Sequence, residues 1–213
     1  MRYVTLSLLA IFSITACSTD SNSDQPSPPI PLAIGNSWVF DIETDDELKT
    51  DTLTVIGDTL IGATTWYELH SKNPRIQDFF GGYAANLEQG YYKYRGAETA
   101  SDNLLLFKTE PDQNETRYID TGKAAWLNIY EGEDANETFN VVANRYSVVY
   151  DYVISGERRF KFDQEYEFNR LISPELGFIH WQGAYFRTED DSTLTLSSYI
   201  NVDLQEFIPG EQQ

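Results

Sequence analysis

His70 and His180 are the two imidazoles of the chain, so acid–base or nucleophilic chemistry near neutral pH has few places to sit. Each lies in a stretch that alternates like a strand and close to a tryptophan, Trp66 or Trp181. A serine nucleophile needs a histidine within hydrogen-bond reach and a carboxylate to orient it. The chain has neither a Gly-x-Ser-x-Gly elbow nor a His-Glu-x-x-His pair, and both histidines read as structural or surface residues. One cysteine and two histidines exclude a thiolate-rich metal site and disfavour zinc and copper. No cofactor is expected. Carboxylates are plentiful, at Asp45-Asp46-Glu47, at Glu131, Glu133, Asp134 and Glu137, and at Glu189-Asp190-Asp191. Oxygen ligands of this kind suit calcium, but none of the clusters shows alternating Asp/Asn positions with a distal Glu, and they read as solvated turns. Glu165 and Glu167 would share a strand face with Cβ atoms roughly 6–7 Å apart, a spacing comparable to a glycosidase pair, although such pairs usually face each other across a cleft. No catalytic or metal-binding residue is assigned. A carboxylate-based hydrolase or a calcium-dependent enzyme is the alternative class.

The aromatic residues offer a different chemistry. The chain carries 4 Trp, 14 Tyr and 12 Phe, far more than a disordered polar chain would hold. Tyr91, Tyr92 and Tyr94 form one group, Tyr146, Tyr150 and Tyr152 a second, and Trp126 with Tyr130 a third. In the second and third groups the spacing of two or four residues stacks the rings along one sheet face. An open, concave face of this kind would hold a sugar ring or an acyl chain, because such rings combine apolar area with a polar tip. A face closed by another layer would simply be core. Tyr92, Tyr94, Trp126, Tyr130, Tyr150 and Tyr152 are the candidate ligand-binding residues.

The elements that must position them are strands. Trp38, Phe40 and Ile42 share one parity against Asp41 and Glu43. Phe160, Phe162, Tyr166 and Phe168 alternate with Lys161, Asp163, Glu165 and Glu167, and Leu194, Leu196, Ile200, Val202 and Leu204 repeat the pattern. Turn residues separate the runs, with Gly35-Asn36 leading into the first strand and Gly57-Asp58 closing a tight hairpin. Residues 73–85 and 97–103 read equally as loop or short helix. The pattern predicts an all-β domain over residues 32–213 with ten or more strands in one curved antiparallel sheet, half-barrel-like, the alternative being a β-sandwich.

The first residues carry an address. Arg2 precedes an apolar run from Leu6 to Phe12 that is too short for a permanent membrane span, and residues 1–16 read as a signal peptide. Ile14-Thr15-Ala16-Cys17 resembles the bacterial lipobox, which implies that the Cys17 thiol takes diacylglycerol and becomes the mature N-terminus. Acyl chains add about 0.8 kcal/mol per buried methylene, so two or three of them anchor firmly. Ser18 after the cysteine implies release to the outer membrane. Residues 17–31 hold four of the eight prolines and almost no core-forming side chains, which predicts a disordered tether. A net charge of −19 argues against nucleic acid as a partner.

The segment Pro31–Phe40, the run Asp51–Gly62 continuing into Trp66-Tyr67-Glu68-Leu69, and Ser173-Pro174-Glu175-Leu176-Gly177-Phe178-Ile179 together resemble a group of uncharacterised Bacteroidota-type outer-membrane lipoproteins. The resemblance implies a fold related to the curved half-barrel of the periplasmic lipoprotein carriers, and it brings no catalytic residues. Asp51-Thr52-Leu53, Asp58-Thr59-Leu60 and Asp191-Ser192-Thr193 are similar to the O-glycosylation acceptor of that phylum. The expectation is a lipid-anchored envelope protein that is not an enzyme, a binding or assembly module for a lipid, a glycan or another envelope protein.

Overall fold

Trp38, Phe40 and Ile42 point inward from β1 (Ser37–Thr44), each at most 1% exposed, as their shared parity requires. The computed structural model to which they belong describes residues 28–97, 99, 102–121, 124–155, 157–188 and 193–210. Residues 1–16, read as a signal peptide, Cys17 and most of the stretch read as a tether lie outside the described residues. From β1 the chain runs as an antiparallel meander through β2 (Leu48–Ile61), β3 (Thr64–His70), β4 (Gly82–Leu87), β5 (Gly90–Lys93) and β6 (Leu104–Lys108). It then crosses to the opposite edge at β7 (Thr116–Asp120) and returns through β8 (Ala124–Asn136), β9 (Val141–Ser155), β11 (Glu167–Ser173) and β12 (Gly177–Thr188) to β13 (Thr193–Ile208), which pairs with β1. Between β9 and β11, β10 (Arg158–Phe162) pairs antiparallel with β9 and parallel with the start of β13. The architecture is thus all-β, a single curved sheet of thirteen strands rather than two stacked ones.

The two edge strands, β6 and β7, are consecutive in the chain and form no ladder with each other. They nevertheless meet along a seam. Asn128 on β8 donates its side-chain amide to the Leu106 carbonyl of β6 at 3.2 Å, and Lys108 pairs with Glu115 at 2.8 Å. Inside, Phe107 of β6 lies 5.2 Å from Tyr146 of β9. The sheet therefore curls into a ring held at its last joint by side chains.

One stretch that reads as loop or helix is a helix, α1 (Pro74–Phe80). Proline at its first position gives up no hydrogen bond, and the Gln77 side-chain oxygen accepts from the Ser71 amide at 2.8 Å. The helix plugs the ring: Phe80 sits 4.4 Å from Phe178, 5.0 Å from Trp181 and 5.6 Å from Phe40 between ring centroids. Removing such a ring typically costs about 3–5 kcal/mol.

Three local expectations change. The run from Phe160 to Phe168 is two strands, because the chain turns at Asp163–Tyr166 between β10 and β11. The β2–β3 hairpin turns at Gly62-Ala63, and Gly57 instead adjoins a bulge in which Ile56 is the extra residue and stands half exposed. Pro29 and Ile30, inside the stretch read as tether, are already packed into the domain. Ile30 is fully buried, and its carbonyl accepts from Asn86 at 2.5 Å. Gly177, with φ +79°, closes the β11–β12 turn beneath it, where a Cβ would stand 3.0 Å from the Trp38 indole nitrogen and 3.2 Å from Ile30.

Candidate functional site

Next to the seam the ring forms a partly open cavity of about 440 Å³. Its walls come from α1 (Phe79), β5 and the residues after it (Lys93, Tyr94, Arg95), β6 (Leu104, Leu106), β8 (Ala124, Trp126), β9 (Tyr150), β11 (Arg170) and β12 (Trp181). Among the described lining residues there are three cations and no carboxylate, in a chain whose acids outnumber its bases 34 to 15. The positive lining opposes the charge of the molecule as a whole.

Arg170 defines the site. It follows Phe168 on the inward parity of β11 and precedes Ile172, so the strand delivers a guanidinium where its neighbours deliver core. The residue is 1% exposed. Its cross-strand partners are Trp181 on β12 and Tyr146 on β9. The guanidinium carbon stands 3.6 Å from the Trp181 ring centroid and 5.7 Å from that of Trp126, within cation–π range of both. Among the described residues no carboxylate pairs with it; the hydroxyl of Tyr150 is the group that stabilises its charge. Burial holds the guanidinium down to about 10 from its ordinary value, which corresponds to a penalty of roughly 3 kcal/mol on its charged form. At neutral pH it remains a cation.

Four buried donors on side chains that line this cavity have no acceptor among the described residues: Arg170 Nε and Nη1, Trp126 Nε1 and Trp181 Nε1. Buried polar atoms are normally satisfied, and each one left unpaired costs about 1–3 kcal/mol. A neighbouring pocket provides contrast. There Arg117 Nη1, Asn128 Oδ1 and the Tyr146 hydroxyl are likewise unpaired, but the space measures about 10 Å³, the room one water needs. The larger cavity is more than forty times that volume and falls in the range of small-molecule sites.

The candidate residues read from the sequence divide among several places. Tyr94, Trp126 and Tyr150 line the cavity. Trp126 and Tyr150 pack 5.7 Å apart, and Tyr94 also touches Trp66, 5.2 Å away, at the rim. Tyr92 belongs to a separate small cluster with Trp66 and Ala85 and donates to Gln89. Tyr130 packs in the main core against Tyr146 and borders the small pocket. Tyr152 does not share a face with Tyr150. The β8–β9 ladder pairs Ala125 with Tyr152 but Trp126 with Tyr150, so Asp151 is a bulge and the parity flips. Tyr152 donates to Asp120 at 2.7 Å under the guanidinium of Arg159, on the outer face. Its hydroxyl is held above the usual phenol value, first by that hydrogen bond.

The remaining polar groups lie elsewhere. His180 Nδ1 meets Asp203 Oδ1 at 2.6 Å on the outer surface, and His70 is exposed on β3. Glu167 accepts from the Ser147 hydroxyl at 2.7 Å, and Glu131 contacts the same hydroxyl. Glu165 is exposed in the turn before β11. Among the described residues no group of three or more His, Cys, Asp or Glu is placed to hold a metal ion; the cluster 189–191 lies outside them. Arg170, Trp181, Lys93 and Phe79 were not among the residues that spacing singled out. The signal for Arg170 was its parity, an arginine in register with Tyr166, Phe168 and Ile172. No protein-family model, curated protein or solved structure matches the chain.

Proposed function

We propose that the chain is a lipid-anchored envelope protein whose β-domain binds a small, largely apolar molecule in the seam cavity, without catalysis. The observation that supports this reading is the cavity itself. It has ligand-sized volume, aromatic and aliphatic walls, and buried donors that nothing among the described residues satisfies. A hydrolase would need carboxylates facing the bound molecule, and the described lining carries none. The proposed anchor is a lipid on Cys17, with the outer membrane as its site, as the resemblance to envelope lipoproteins implies.

The test is titration with N-phenylnaphthylamine, a neutral dye that brightens in apolar sites. The expected result is saturable enhancement at one dye per chain, abolished by Ala124→Trp, which fills the cavity from its wall. Unsaturable enhancement, or enhancement unchanged in the filled variant, would contradict the reading.

A further inference from the structure

We propose that the ligand is an amphiphilic carboxylate, its headgroup held by Arg170 between Trp126 and Trp181 and its apolar body lying along Phe79, Leu104 and Leu106. The inference rests on the cavity reading above and adds the ligand's chemical class. All four unpaired atoms are donors, so the missing partner is an acceptor. A guanidinium donates strong, charge-assisted hydrogen bonds to carboxylate oxygens. The indole N–H groups of Trp126 and Trp181, also without acceptors among the described residues, belong to the same lining.

Charge specifies the headgroup further. Of the three cations, Arg95 already donates to the backbone carbonyls of Asp120 and Thr121, and Lys93 lies 3.4 Å from the Phe79 carbonyl. Arg170 remains as the one buried cation whose charge no carboxylate of the described fold offsets. One buried positive charge neutralises a monoanion, whereas a dianionic phosphate would bring a second negative charge that this guanidinium does not offset. Volume sets the size: about 440 Å³ lies in the lower part of the range of small-molecule sites. A medium-chain fatty acid fits within that space.

Calorimetric titration of the full chain with decanoate, decanol and inorganic phosphate tests the inference. Wild type is expected to bind decanoate at least tenfold more tightly than decanol, with inorganic phosphate failing to compete. Arg170→Gln is expected to abolish the preference while still binding decanol, which also shows that the variant is folded. Trp126→Phe, which keeps a ring but removes the indole donor, is expected to weaken decanoate severalfold and leave decanol unchanged. Equal wild-type affinities for decanoate and decanol, or competition by phosphate, would overturn the carboxylate assignment and leave the cavity reading standing. A preference that survives Arg170→Gln would overturn the role of Arg170. Binding of neither amphiphile, together with no saturable dye signal, would overturn both readings.

Discussion

Arg170 costs the free protein stability. A guanidinium buried among rings without a counter-charge loses hydration that π-faces and one phenol replace only in part. Substitution by a side chain of similar length and no charge, Arg170→Met, is expected to stabilise the ligand-free protein by about 1–3 kcal/mol, read as a higher Tm in thermal denaturation. A lower Tm would mean that the guanidinium is structural. The residue was legible in outline, since its place among Tyr166, Phe168 and Ile172 fixes its side of the sheet. Its importance was not, because nothing in a strand's own sequence says whether a partner carboxylate will arrive from another strand. Tyr152 illustrates the converse limit. Its spacing from Tyr150 implied a shared face, and a single bulge at Asp151, set by how β8 registers against β9, reversed it.

The ring is weakest at the seam, where strands β6 and β7 meet without a ladder. Lys108–Glu115 is one of the side-chain ties across it, with the Glu115 side chain 15% exposed. Burial alone would raise the Glu115 carboxyl, but the Lys108 hydrogen bond, the Asp112 amide and the charges of Lys108 and Arg117 outweigh it, and the group is held below its ordinary value. A depressed folded-state value means that the tie contributes fully above the ordinary carboxyl range and is lost as pH falls through the depressed value. Acidification is therefore expected to loosen the seam first, seen as earlier hydrogen exchange in β6 and β7 than in β1 and β13. Glu115→Gln is expected to remove that acid-dependent step; an unchanged step would assign it to other carboxylates. Strand existence at this scale was largely readable, since period-two alternation follows from burial on one side. The β10–β11 break and α1 were not. A turn at Asp163–Tyr166 and a helix opening at Pro74 depend on what the ring needs at its ends, where local propensity is indifferent.

The whole molecule sets a field against its own proposed ligand. A net charge of −19 repels an approaching carboxylate out to about a Debye length, which is longest at low salt, whereas the cationic lining attracts it only close in. Raising ionic strength from low to physiological is thus expected to speed decanoate association severalfold and to leave that of decanol unchanged. Slower association with salt would mean that the local cations dominate the approach. The single curved sheet was legible from patterning. The seam was not, because closure is a property of how far thirteen strands twist and coil together rather than of any one of them.

The most direct measurement is mass spectrometry of the protein purified gently from its native source, under native and then denaturing conditions. The denaturing spectrum reports whether Cys17 carries covalent lipid, and the native spectrum adds whatever the cavity holds. The account predicts one extra non-covalent adduct per chain, of the mass of a medium-chain carboxylate, absent from Arg170→Gln. Native and denaturing masses that agree for the wild-type protein, with no adduct to lose, would contradict it.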